Sequence, residues 1–206
     1  MLEELSMKGN VLRGAEELKA ASRMRALHLD GNAINSVGFA STMKSLREFT
    51  ADDNRIEVFA CEAALMGSLE VLSVAGNRIK DLGSIPDLAG LRELNLSRNH
   101  IQAFDGLERC TRLGKVNLSN NYICAVPSAN KMNALASLTE LRLSKNRLTA
   151  FPFACLSLPS LRALHLDENS IAEIEPVLGC PLLETLELAF NDIKGLDSVA
   201  NLSGCQ

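Results

Sequence analysis

Leu91-Arg92-Glu93-Leu94-Asn95-Leu96-Ser97-Arg98-Asn99-His100-Ile101 is the stretch that decides the fold. Apolar residues stand at positions one, four, six and eleven of this word, and Asn99 stands at position nine. The alternation Leu94-Asn95-Leu96-Ser97 has period two, so it predicts a strand with one buried face. An amide just past that strand is out of place among apolar residues unless backbone groups need it.

The word recurs. Copies run over residues 2–12, 24–34, 46–56 and 69–79 before the quoted stretch, and over 113–123, 138–148, 161–171 and 183–193 after it. Position nine is Asn10, Asn32, Asn54, Asn77, Asn99, Asn121, Asn146, Asn169 and Asn191, with spacings of 22, 22, 23, 22, 22, 25, 23 and 22. A fixed period over the whole chain means stacked repeats, because one such unit cannot bury its own apolar edge. Successive strands then pair in parallel, about 4.8 Å apart, on one face. Nine buried amides without partners would be costly, so the asparagines are expected to form a hydrogen-bonded ladder.

Between words the apolar residues step by three, as in Ile34, Val37, Ala40, Met43 and Leu46, in Ile79, Leu82, Ile85, Leu88 and Leu91, or in Ile101, Phe104, Leu107, Cys110 and Leu113. That rhythm suits short 3₁₀ or helical turns on the outer side. The expected fold is α/β, a curved right-handed solenoid with a parallel sheet on the concave face and short turns on the convex one. Three departures stand out. Ala51 beside Phe49 suggests a small-for-large exchange within a layer. The 25-residue step carries extra residues near Pro127-Ser128-Ala129-Asn130-Lys131-Met132, placed on the outer side. Phe151-Pro152-Phe153 breaks the rhythm and predicts an irregular or helical turn.

These words resemble the LxxLxLxxN repeat of the leucine-rich repeat family, over essentially all of residues 1–206, read as one domain. The 22-residue period resembles the intracellular subclass typified by a regulatory subunit of type 1 protein phosphatase, which axonemal dynein light chains and a spliceosomal protein share. The resemblance implies a non-catalytic scaffold that binds a protein partner on its concave face, as a phosphatase-regulator-like or a cytoskeletal and axonemal adaptor. Its rivals are a ribonucleoprotein component like the spliceosomal relative, or the binding part of a larger multidomain receptor or enzyme. Both ends of the sequence lack polar caps, so a fragment of a longer array is expected, with a capping helix over residues 196–205 as the alternative.

Composition narrows the function classes. A formal net charge of −4 and 4% aromatics argue against direct nucleic-acid binding, and no signal core or apolar run of membrane length is present. Cys61, Cys110, Cys124, Cys155, Cys180 and Cys205 are scattered singly, as small hydrophobes in a reducing compartment are. A cytoplasmic, nuclear or cytoskeleton- and cilium-associated location is expected. The sequons at Asn95, Asn117 and Asn201 read as accidents of the word rather than glycosylation sites.

Catalytic, cofactor and metal motifs are missing from the pattern. His28 and His165 share position five, six repeats apart, and are read as solvated surface residues; the sequence shows no HExxH, CxxC or phosphate-binding glycine motif. Gly31 and Gly76 are assigned to turns. What remains is the concave face, exposed at positions three, five, seven and eight. Its charges run acidic (Glu4, Asp30, Glu48, Asp52, Asp53), neutral (Val71, Ser73, Ala75, Gly76), basic (Arg98, Lys115, Arg142, Lys145) and acidic again (Asp167, Glu168, Glu187). Charge order sets register more than affinity, while Arg and aromatic side chains dominate hot spots. The candidate partner-binding residues are therefore Asn95, Arg98, Asn117, Asn120, Tyr122, Arg142, Lys145, His165 and Phe190. A row at position ten, Arg55, Arg78, His100 and Arg147, borders them.

Overall fold

Positions four and six are apolar in every word, and in the central repeats they leave solvent entirely: Leu94 is 2% exposed and Leu96 0%. The computed structural model describes residues 2–59, 67–82 and 88–195. Among them nine strands lie in chain order: β1 Glu4–Ser6, β2 Ala26–His28, β3 Glu48–Thr50, β4 Val71–Ser73, β5 Glu93–Asn95, β6 Lys115–Asn117, β7 Glu140–Arg142, β8 Ala163–His165 and β9 Thr185–Glu187. Each is parallel to the next, and position four always meets position four: Leu72 faces Leu94, which faces Val116. The register cannot slip, because a one-residue shift would turn the leucines to solvent and the polar residues inward.

The leucine-rich layers form one continuous core. Burying a Leu or Phe side chain contributes roughly 1.5–3 kcal/mol, and in the inner repeats each is sealed by the repeats on either side, while Leu5, Leu186 and Leu188 in the first and last described repeats are partly buried. The exchange at Phe49 and Ala51 works as a packing device. Both are buried, and the Phe49 ring meets Phe39 edge-on with centroids 6.4 Å apart. The outer side is built from tight turns, with 3₁₀ segments at Glu16–Ala20, Gly38–Thr42 and Phe153–Cys155. The longer repeat spends its extra residues on α1, Ala129–Asn133, the α-helix among the described residues. Phe151 and Phe153 are both buried, with ring centroids 4.7 Å apart. Ile85, Cys61, Cys205, Asn201 and the capping segment 196–205 lie outside the described residues.

The asparagines explain how the strand ends are satisfied. Asn99 Nδ2 donates to the carbonyls of Leu96, Ser97 and Val74 at 3.0–3.2 Å, and its Oδ1 accepts from the Ile79 N–H at 3.0 Å. Each amide therefore ties its own turn to the preceding repeat. The pattern repeats at Asn32, Asn54, Asn77, Asn121, Asn146, Asn169 and Asn191. Asn10 departs from the expected nine buried amides. It is exposed and, among the described residues, bonds to its own turn, through the carbonyls of Met7 and Lys8.

Candidate functional site

Position eight precedes each ladder asparagine, and the backbone there is left-handed in every repeat: Gly9, Gly31, Asp53, Gly76, Arg98, Asn120, Lys145, Glu168 and Phe190 have φ between 52 and 69°. Glycine adopts this freely and asparagine and aspartate tolerate it, whereas bulkier residues are strained. The turn is thus a demand of the fold and not of Gly31 and Gly76 alone. Phe190 is the extreme case, a bulky ring in the left-handed region that is 83% exposed.

Over β4 to β7 the concave face forms an open groove of about 370 Å³. Its floor is set by Asn95 and Asn117, adjacent in register. The Ser97 and Ser119 N–H groups, at position seven, make no backbone hydrogen bond among the described residues and need another acceptor. Asn95 Oδ1 takes the Ser97 N–H at 3.2 Å and the Ser97 hydroxyl at 2.9 Å, while Asn117 Oδ1 takes the Ser119 N–H at 3.0 Å. Both carbonyl oxygens are used by the chain itself, so the amide donors are what these residues offer the groove. The walls are neutralised: Lys115 pairs with Glu93 at 3.2 Å, and Arg142 Nε pairs with Glu140 Oε1.

The acidic end of the face is a network rather than a row of loose charges. Asp30 accepts from Lys8 Nζ at 2.8 Å, from the Thr50 hydroxyl at 2.9 Å and from the Asp52 N–H at 2.8 Å. Because the single Thr50 proton goes to Asp30, His28 Nδ1 must be the donor in its 3.0 Å contact with Thr50 Oγ1. Asp52 accepts from Ser73 Oγ at 2.6 Å and from the Ala75 N–H at 2.7 Å. Burial acts to raise both carboxyl pKa values. At Asp30 the bonds from Lys8, Asp52 and Thr50, with the Lys8 charge, outweigh it, and the pKa falls below 3.8. At Asp52 burial wins, helped by the charges of Asp30 and Asp53, and the pKa rises.

The reading of His28 and His165 as solvated is corrected by their side-chain exposures of 13% and 17%. Each ring lies along the sheet and bonds to the next strand, His165 Nδ1 reaching Glu187 Oε2 at 2.6 Å. Asp167, two residues on along the same face, accepts from Ser144 Oγ at 2.6 Å. Among the described residues, His165, Asp167 and Glu187 thus bring potential metal-ligand atoms within 4.8 Å of one another. Motif spacing missed this group, because His165 closes β8, Asp167 lies two residues past it, and Glu187 comes from the neighbouring repeat.

The remaining candidates lie toward the strand ends. Arg98 is engaged by Asp53 at 2.9 Å and Lys145 by Glu168 at 3.2 Å. Arg98, Asn120, Tyr122 and Lys145 line an open pocket of about 410 Å³ at the rim. The structure thus separates the candidates into a groove pair (Asn95, Asn117) with Arg142 on its wall, a rim group, and His165 and Phe190 toward the last repeats. Sequence reading missed the pairing of most of these charges, since the partners come from repeats 22 or more residues away.

Comparison with known proteins places this geometry. Family models described as "Leucine Rich repeats (2 copies)", "Leucine rich repeat" and "Leucine Rich repeat" match residues 67–109, 111–171 and 179–196. The "Volume-regulated anion channel subunit LRRC8E" of Homo sapiens is 30% identical over 185 residues, 88% of this chain but 17% of that protein. The "Adenylate cyclase" of Schizosaccharomyces pombe is 33% identical over 127 residues, 61% of this chain and 6% of the relative. The chain therefore spans under a fifth of the length of these relatives. The functional domain of InlJ from Listeria monocytogenes superposes with a TM-score of 0.80 at 20% identity, covering 99% of this chain and 43% of that one. Internalin C2 from the same species gives 0.78 at 23%, covering 89% and 80%. The structure of the Toll–Spatzle complex of Drosophila gives 0.76 at 21%, covering 97% and 28%. These likenesses extend to the fold alone. No helix among the described residues is long and apolar enough to cross a membrane. The family models together take in more than half of the residues, and the chain belongs to the leucine-rich repeat family.

Proposed function

We propose that this chain is a non-catalytic protein-interaction scaffold, and that its protein partner lies in the groove over β4 to β7. The observation that carries this reading is the pair Asn95 and Asn117. Their oxygens are occupied within the sheet, their amide donors have no bond among the described residues, and the flanking charges cancel. A groove with free donors and paired walls suits the carbonyl and hydroxyl acceptors of another polypeptide. Leucine-rich repeat proteins generally use their extended concave surfaces in this way.

The narrower forms of the reading are a phosphatase-regulator-like subunit or a cytoskeletal or axonemal adaptor in the cytoplasm. The 22-residue spacing supports the intracellular subclass. The exposed thiols of Cys124 and Cys155 and the buried ones of Cys110 and Cys180 suit a reducing compartment. A photo-crosslinking residue at Asn117, with one at the outer-turn residue Glu173 as reference, tests the groove in cells. The expected result is a discrete crosslinked protein from position 117 alone. Crosslinks only from position 173, or from neither, would reject the concave face as the binding surface.

A further inference from the structure

The face and its rim differ in how their polar groups are used. On the face Lys8, Arg98, Lys115, Arg142, Lys145 and His165 all have acidic partners. Position ten, one residue past the ladder asparagine, is different. Successive repeats place His100, Tyr122 and Arg147 there, all exposed. The His100 and Tyr122 ring centroids are 5.8 Å apart, and the Arg147 guanidinium carbon stands 4.6 Å from the Tyr122 centroid. Among the described residues, neither the Arg147 guanidinium, the Tyr122 hydroxyl nor the His100 nitrogens have a hydrogen bond or ion pair. Stacking on a ring face restrains a guanidinium without consuming its N–H donors.

We propose that His100, Tyr122 and Arg147 form a carboxylate-binding site that takes an extended acidic segment of the protein partner. The inference rests on the scaffold reading above and names the chemistry recognised at its rim. The argument is charge complementarity. The row continues toward the first repeat as Arg78, which Glu57 approaches at 3.8 Å, and Arg55, so no acid occupies position ten from Arg55 to Arg147, in a chain whose net charge is −4. Lys145 and Arg98 stand beside it in the rim pocket. The planar guanidinium matches a carboxylate with two parallel bonds, and the phenol adds a donor. At the strand spacing, His100 to Arg147 spans about 10 Å, or about three residues of extended chain.

Tyr122 is the chain's one tyrosine, and there is no tryptophan, so tyrosine emission reports from this site alone. The intact chain is titrated with an oligoglutamate peptide, with oligolysine and a phosphoserine peptide in parallel. A saturable emission change with oligoglutamate is expected, weakened about tenfold or more in Arg147→Glu and kept in Arg13→Glu, which makes the same charge change at a distance. Circular dichroism checks that both variants stay folded. No saturable change, or equal binding by Arg147→Glu, overturns the site; saturation by the phosphoserine peptide alone overturns the carboxylate assignment. Any of these results leaves the Asn117 crosslink unaffected, so failure of the rim is distinguishable from failure of the groove.

Discussion

Arg98 closes on Asp53 with two nitrogens, Nη1 to Oδ1 at 2.9 Å and Nη2 to Oδ2 at 3.3 Å, across the repeat that contains Gly76. The fork passes over that repeat because Gly76 has no side chain: a Cβ there would stand 2.1 Å from Asp53 Oδ1 and 3.3 Å from Arg98 Nη2. Residues 45 apart in sequence thus meet across an intervening strand.

Gly76→Ala is expected to lose about 1–2 kcal/mol in urea unfolding, combining the strain of a positive φ with eviction of the fork. Arg98→Ala should lose under about 1 kcal/mol, because the bridge is exposed on both sides. Equal losses in the two variants would show that the backbone contributes nothing at Gly76.

Asn99→Leu strands three carbonyls and one N–H at the centre of the ladder and is expected to cost about 3–5 kcal/mol. Asn10→Ala, exposed and outside the inter-repeat network, should cost under about 1 kcal/mol. Chemical denaturation of both variants checks the contrast, and a mild Asn99→Leu would refute the ladder as a stabilising device.

Asp52→Asn keeps Oδ1 for Ser73 and Ala75 but removes a charge whose pKa is raised in the folded state. A raised carboxyl pKa costs stability above the folded value, so the variant should melt higher than wild type at pH 7. The gap should close as pH falls through the folded pKa toward the unfolded one. Asp30 has the opposite sign: its depressed pKa contributes stability that is present above the ordinary aspartate value of 3.8 and lost as pH falls through the folded value. Asp30→Asn should therefore melt lower at pH 7. Parallel melting curves from pH 3 to 7 check both signs, and like-signed shifts would contradict the network.

Phe190→Asn should raise stability by about 1 kcal/mol, because asparagine tolerates the left-handed backbone that strains phenylalanine. The same change should weaken partner capture if the exposed ring is retained for contact. Improved stability with unchanged capture would assign Phe190 no binding role.

Much of the fold was legible because its signals are local. Leu94 and Leu96 declare a strand face within one word, and the recurrence of Asn99 at a near-fixed period declares the stacking. The extra length before Met132 declared the outer insertion, though not that it would wind into a helix. The site was less legible, because its chemistry is made between words. The sequence shows Arg98 and Arg142 as cations, but their pairing with Asp53 and Glu140 depends on side-chain reach. His165 looked solvated until strand pairing set it against Glu187. Position eight could not be read as left-handed at Phe190, since nothing in a phenylalanine announces that conformation.

The unbroken one-to-one register from β1 to β9 makes the sheet a ruler, graduated by one strand every 4.8 Å or so. Excising a whole repeat, such as residues 91–112, would join two matching edges and leave the remaining coil able to close. Every feature beyond the cut would then sit one graduation nearer to every feature before it. A partner bound at a single point would not notice. A partner that measures the distance between the two ends of the face would be thrown out of phase, so one deletion separates a point contact from a length standard.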